Sequence, residues 1–149
     1  MPDIRELLSE TRVSFDLKAK SKEEVINELI DILDRDGKLY DRGKFKEAVL
    51  KREQEFSTGI GFGIAIPHGK DDSVKEPAIT FGVSKTGVDF NSFDGMPARI
   101  FFLISVPMES NDMHLKILSE ISRKLMHENI RKALMNARVY EDILNAFEI

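Results

Sequence analysis

Two short apolar runs, residues 78–83 and 99–106, constrain the fold of this chain most. Both are rich in β-branched and aromatic side chains, and neither shows the regular polar alternation of a strand with one face in water. Such runs are typical of central strands that helices cover on both faces. Because amphipathic helical patterns occur before and after them, we predict an α/β fold with a mixed, mostly parallel β-sheet flanked by helices on both faces.

Five helices are predicted around these strands. The first follows Ser21 and Glu24, which have the spacing of a capping box, and it ends at Gly37. The second begins near Asp41 and the third near Asn111, and two short helices pass through residues 130–134 and 140–147. Further strands are expected at residues 13–17 and 64–66, a hairpin or edge segment at 87–90, and a glycine-rich loop at 57–63.

The composition restricts the chemistry that is available to the chain. Its 149 residues contain neither a linker nor an internal repeat, so one domain spanning residues 1–149 is expected. The absence of cysteine excludes disulfides, thiolate metal sites and cysteine nucleophiles. A net charge of −4 with well-mixed signs argues against nucleic acid as the main partner. Without a signal peptide or a bilayer-length apolar run, the protein is expected to be cytoplasmic, with no membrane insertion.

The segment of residues 58–70, TGIGFGIAIPHGK, carries the strongest indication of chemistry. Its alternating glycines would let another surface approach the backbone closely. A dinucleotide fingerprint needs a third glycine where an isoleucine stands, and a P-loop needs Ser or Thr where Asp71 follows Lys70. Both nucleotide motifs fail, and no cofactor is expected.

His68 is the candidate nucleophile of this segment. Pro67 fixes its own backbone and pushes Ile66 into an extended conformation, so His68 is displayed just beyond a short buried strand. Gly69 has no side chain to shield the ring. An imidazole with a pKa near 6.5 is largely neutral at neutral pH and offers a nucleophilic nitrogen. The alternative is an ordinary surface or core histidine.

Two further side chains are candidates for the same site. His114 shares the inward face of the third helix with Ile117, so its ring either meets a backbone partner or faces a site near the helix start, where phosphate binds well. Arg52 closes the second helix and is either a surface arginine or a two-pronged phosphate ligand. His127 is rotated about 220° from His114. This rotation and the lack of clustered carboxylates argue against a metal site.

The pattern Glu53, six residues, Ile60-Gly61, two residues, then residues 64–69 (IAIPHG) resembles the active-site signature of the enzyme IIA domains of the fructose–mannitol class. These domains belong to the bacterial phosphoenolpyruvate-dependent sugar phosphotransferase system. The resemblance covers nearly the whole chain, and it includes Lys51-Arg52-Glu53, Phe93-Asp94-Gly95 and His114-Leu115.

The resemblance implies a phosphotransferase with a phosphotransferase/anion-transporter-like sandwich fold. His68 would receive a phosphoryl group on its Nε2 (tele) nitrogen from the phosphocarrier protein HPr. It would pass that group to a cysteine of an enzyme IIB domain of a sugar permease, for uptake of fructose-type sugars. The residues matching His114 and Arg52 would hold and stabilise the phosphoryl group. The family's chemistry requires neither metal nor nucleotide.

The surface that would receive the two protein partners is expected around Ile60, Gly61, Phe62 and Gly69, where glycines open the backbone and two apolar side chains offer contact. Several family members have a polar or acidic residue in place of Phe62, so the effect of Phe62 on partner choice is open. Two alternative functions also remain. One is the nitrogen-regulatory branch of the same family, which signals by binding regulators. The other, more remote, is a ligand- or metal-sensing module without covalent chemistry.

Overall fold

The computed structural model describes residues 4–110 and 112–148 of the chain. Within these ranges a six-stranded mixed sheet has the order β1-β5-β6-β3-β2, and β4 also pairs with β6. Helices lie on both of its faces. The elements in chain order are α1 (Ile4–Leu7), β1 (Leu8–Ser14), α2 (Lys22–Arg35), α3 (Arg42–Glu55), β2 (Gly59–Gly61), β3 (Ile64–Ala65), β4 (His68–Asp71), β5 (Ala78–Val88), β6 (Ala98–Pro107), α4 (Met113–Leu125), α5 (Glu128–Met135) and α6 (Tyr140–Ala146).

Strand β6 organises the sheet and the core. It pairs antiparallel with β5 and parallel with β3 and β4, while β1 pairs parallel with β5. Alternate residues of β6 enter two separate hydrophobic clusters: Phe102 and Ile104 pack with α4, α5 and α6, whereas Phe101 and Leu103 pack with α2 and α3. Both faces of β6 are therefore buried, which explains its continuous apolar run and confirms the predicted fold class.

Strands β3 and β4 pair with β6 in the same register and form two halves of one interrupted strand. Ile64 and Ala65 pair with Ile100 and Phe101, and the same register resumes at His68, which pairs with Ile104. Pro67 stands at the interruption, where it cannot donate to the ladder, although its carbonyl accepts from the amide of Ile104 at 3.0 Å. His68 therefore does not follow the end of a strand, as predicted, but begins the second half of an interrupted one.

The predicted helices are confirmed where the structure describes them. Ser21 caps α2 by accepting from the amide of Glu24, Asp41 caps α3 by accepting from that of Lys44, and Gly37 after α2 is left-handed, with φ of 74°. The predicted start of the third helix, Asn111, lies outside the described residues. No helix within 4–110 or 112–148 is long and apolar enough to cross a membrane.

Three strand predictions are wrong in detail. The first strand occupies Leu8–Ser14, so only two of the five residues predicted at 13–17 belong to it. The loop predicted at 57–63 contains the short strand β2. The segment predicted at 87–90 is not separate, because β5 continues to Val88 through a shift of register.

Candidate functional site

An open cleft of roughly 670 Å³ lies between α3, the edge strand β4 and the start of α4. All three residues proposed from the sequence for the chemistry line it: His68 on β4, Arg52 in the last turn of α3 and His114 in the first turn of α4. The remaining lining residues are Lys44, Glu47, Ala48, Lys51, Glu55, Gly69, Lys70, Asp71, Leu115 and Leu118. Side chains far apart in sequence thus converge where helices from both faces of the sheet meet one strand.

His68 is held in a defined orientation by the main chain. Its Nδ1 lies 2.9 Å from the carbonyl oxygen of Ile66, two residues earlier. A carbonyl can only accept, so Nδ1 carries the proton and Nε2 of the neutral ring keeps its lone pair. The ring is half-buried. In this arrangement Nε2 is the ring nitrogen that could act as a nucleophile.

Close packing of α3 on β4 places Arg52 at the cleft. Gly69 lies directly beneath Phe45 and Val49 of α3, where an added Cβ would be only 3.0 Å and 3.1 Å from their side chains. Arg52 follows Val49 by three residues, so it lies on the same helix face. Its Nη1 donates to the carbonyl of Phe56 at 2.8 Å, which anchors the guanidinium at the end of the helix.

His114 lies on the other side of the cleft, in the first turn of α4. Its side chain is half-buried, and its Nδ1 is shielded from solvent with no hydrogen-bond partner among the described residues. The N-terminal end of the thirteen-residue α4 contributes the positive end of a helix dipole beside this ring. His127, by contrast, is exposed at the start of α5 and does not line the cleft.

The environment keeps both cleft histidines neutral. Burial lowers the pKa of His68 below its ordinary value of 6.5, and the nearby positive charge of Arg52 lowers it further. Burial, assisted by the charge of Lys70, lowers the pKa of His114 in the same way. A neutral His68 at neutral pH is competent to attack an electrophile, and the cations beside it would stabilise an anionic group bound there.

The sequence matches the family model described as "Phosphoenolpyruvate-dependent sugar phosphotransferase system, EIIA 2" over residues 6–148. The chain belongs to this family. EIIA domains are phosphotransferase components of that system, and the resemblance inferred from the signature around His68 is confirmed at the level of the family.

Similar proteins include both fructose-specific and nitrogen-regulatory members. The chain is 49% identical over 142 residues to the fructose-specific EIIABC component of Bacillus subtilis, covering 95% of this chain but only 22% of that protein. It is 41% identical to the fructose-specific EIIA component of Haloferax volcanii, covering 89% of this chain and 88% of that one. The crystal structure of nitrogen regulatory protein IIA-Ntr from Neisseria meningitidis superimposes with a TM-score of 0.89 at 30% identity, covering 97% and 98% of the two chains.

The residues predicted to bind partners of this EIIA domain fall in two places. Gly69 lines the cleft but is buried under α3. Ile60 and Gly61 lie in β2 and Phe62 in the turn that follows it, and none of these three lines the cleft. The side chain of Phe62 is 69% exposed. A role for these four residues in partner binding remains a prediction.

Contacts within the chain hold the turn between β2 and β3 in place. Phe62 adopts a left-handed conformation, with φ of 59°, and its amide donates to Asp94 at 2.9 Å. An added Cβ on Gly61 would meet the carboxylate of Asp94 at 3.1 Å. The guanidinium of Arg131 lies 4.2 Å from the centre of the Phe62 ring, which indicates a cation–π contact. The turn is thus fixed by Asp94 on one side and by α5 on the other.

Glu53 is a residue of the site region whose importance the sequence analysis missed. Only 7% of its surface is exposed, although it lies in a helix rich in charged residues. Its carboxylate accepts two hydrogen bonds from Thr58, from the amide at 2.7 Å and from the hydroxyl at 2.6 Å. The signal in the sequence was its i+4 spacing from Val49, itself i+4 from Phe45, which puts Glu53 on the buried face of α3.

Proposed function

We propose that this EIIA domain is a phosphoryl carrier that accepts a phosphoryl group on Nε2 of His68 from phosphorylated HPr and passes it to a cysteine of an enzyme IIB domain. The observation that supports this most directly is the hydrogen bond from Nδ1 of His68 to the Ile66 carbonyl, because it leaves Nε2 unprotonated. Membership in the EIIA family supports the reaction class.

In the first step, the lone pair of Nε2 attacks the phosphorus of the phosphohistidine on HPr. The new N–P bond forms as the donor's N–P bond breaks, and the imidazole of HPr leaves with the electron pair. In the second step, a thiolate of the IIB domain attacks the same phosphorus, and the bond to Nε2 breaks. Positioning and charge stabilisation supply most of the catalysis in such transfers, so the guanidinium of Arg52 and the ring of His114 are assigned to holding the phosphoryl oxygens.

We propose that this phosphoryl transfer serves the uptake of fructose-type sugars. The two relatives at 49% and 41% identity are both fructose-specific components, and the name of the Bacillus subtilis protein combines EIIA with EIIB and EIIC. The likeness to IIA-Ntr supports a second candidate, a regulatory protein of the nitrogen branch. Both candidates share the chemistry at His68 and differ in the partner that follows.

Intact-mass measurement after incubation with phosphoenolpyruvate, enzyme I and HPr tests the carrier function. The wild type is expected to gain one acid-labile phosphoryl group, His68→Ala none, and His127→Ala, a matched change at an exposed histidine, the same as the wild type. A wild type that gains no mass would exclude the carrier function and leave the sensing module. Addition of a fructose-type IIB domain then separates the two branches, because only the uptake function predicts that the phosphoryl group moves on to it.

A further inference from the structure

Glu53 is connected to the proposed nucleophile by a continuous path of hydrogen bonds. Its carboxylate binds the amide and the hydroxyl of Thr58. The carbonyl of Thr58 accepts from the amide of Ile66 at 2.9 Å, and the carbonyl of Ile66 accepts from Nδ1 of His68, also at 2.9 Å.

The path matters because the amide of Ile66 donates to Thr58 and not to strand β6. Pro67 interrupts the ladder between β6 and the line formed by β3 and β4, and the amide of Ile66 turns to Thr58. The carbonyl of Pro67 still accepts from the amide of Ile104, so the orientation of the Ile66 carbonyl depends on this bond and on where Thr58 is held. Thr58 is buried and follows the end of α3, so its position depends on Glu53.

A buried carboxylate is costly unless it is paired, and Glu53 is paired with Lys22. The ammonium Nζ of Lys22, on α2, lies 2.8 Å from Oε2 of Glu53, and it also lies 4.9 Å from the centre of the Phe90 ring. The carboxylate thus accepts from three donors, two of them on Thr58. A neutral acceptor of the same length would still reach Thr58, whereas a shorter carboxylate would not.

We propose that Glu53 is a positioning residue that acts through Thr58 and Ile66 to keep the proton of His68 on Nδ1 and the lone pair on Nε2. Its relevance to phosphoryl transfer rests on the proposed function, but its effect on the ring does not. We therefore expect the His68 tautomer to depend more on the length of the side chain at position 53 than on its negative charge.

Three substitutions separate these properties. Glu53→Gln keeps the length and removes the charge, Glu53→Asp keeps the charge and shortens the side chain, and Glu53→Ala removes both. The readout is the tautomer of His68, measured from its ring ¹⁵N chemical shifts in the unphosphorylated protein. We expect the ratio of the Nδ1–H to the Nε2–H form to fall roughly five- to tenfold in the Asp and Ala variants, as for loss of one hydrogen bond, and to stay close to wild type in the Gln variant.

A control is needed for general destabilisation. Asp36 is another carboxylate that pairs with a buried cation, Arg12, and it is not part of the path to His68. Asp36→Ala should therefore lower the stability while leaving the His68 tautomer unchanged. If Glu53→Ala does not fold, Glu53→Asp decides the question.

The rate of phosphorylation by HPr tests whether the tautomer of His68 affects phosphoryl transfer. Glu53→Asp is expected to lower kcat for phosphorylation by HPr by about tenfold, with KM for HPr within about twofold of the wild type, because the perturbation reaches the ring and not the partner surface. An Asp variant with an unchanged tautomer overturns the proposal. If the Asp variant shifts the tautomer but even the wild-type protein is never phosphorylated, the proposed function is overturned and the positioning role of Glu53 stands.

Discussion

Replacement of Gly69 by alanine tests whether this glycine serves packing or partner access. The added Cβ would be 3.0 Å from Cε1 of Phe45 and 3.1 Å from Cγ2 of Val49, whereas ordinary contacts are 3.4–4 Å. Both side chains are completely buried in the cluster beneath α3, so neither can move without displacing others. Overpacking of this kind costs about 1–3 kcal/mol of unfolding free energy.

We expect Gly69→Ala to lose about 2 kcal/mol, which corresponds to a fall of roughly 4–8 °C in Tm for a chain of this length. Gly43→Ala is the control, because Gly43 lies in α3, the helix that carries Phe45 and Val49, and an added Cβ would meet only Oδ1 of Asp41, at 3.7 Å. It should be neutral or slightly stabilising. Urea denaturation and thermal unfolding measure both. A Gly69→Ala protein that keeps wild-type stability but loses phosphorylation would refute the packing argument and favour a role in partner access.

Three further predictions follow from the site and the core. Because burial depresses the pKa of His68, the unfolded chain binds protons more readily, so stability should fall as the pH drops below 6.5; His68→Gln should flatten this dependence in denaturation curves. Arg52→Ala should slow phosphorylation by about a hundredfold. Lys46→Ala, a control on the same helix but outside the cleft, should not, and equal rates for both would contradict the assigned role. Arg12→Met should cost about 3 kcal/mol in urea denaturation, because the buried guanidinium donates to the carbonyls of Leu7 and Ile79 and pairs with Asp36; a loss under 1 kcal/mol would contradict this.

Elements with their own local signals could be predicted from the sequence. The capped helices α2 and α3 and the buried strands β5 and β6 each carry a pattern that belongs to the segment itself. β1 was misplaced because Arg12 looks like a solvent-facing residue, whereas it is 4% exposed. Its partners come from Leu7, from Ile79 on another strand and from Asp36 after α2. No local pattern contains that information.

The same distinction applies to the site. His68, Arg52 and His114 were selected because a long signature and two helix ends mark them, and the structure places all three along one cleft. Strand β4 was missed because His-Gly-Lys-Asp has no strand propensity, and it is a strand only because its register on β6 continues that of β3. Glu53 was part of the signature, but its burial depends on Thr58 and on Lys22 from another helix.

The interruption at Pro67 explains how a nucleophilic imidazole can be oriented without a carboxylate partner. An acidic residue on Nδ1 would fix the same tautomer, but its charge would raise the pKa of His68 and repel a phosphoryl dianion on Nε2. The Ile66 carbonyl fixes the tautomer with no net charge. The carboxylate of Glu53 lies beyond Thr58 on the path to this carbonyl, and it is paired with Lys22. The proposed arrangement therefore orients the ring without an anion in hydrogen-bond contact with it, and Arg52 remains the cation assigned to the phosphoryl group.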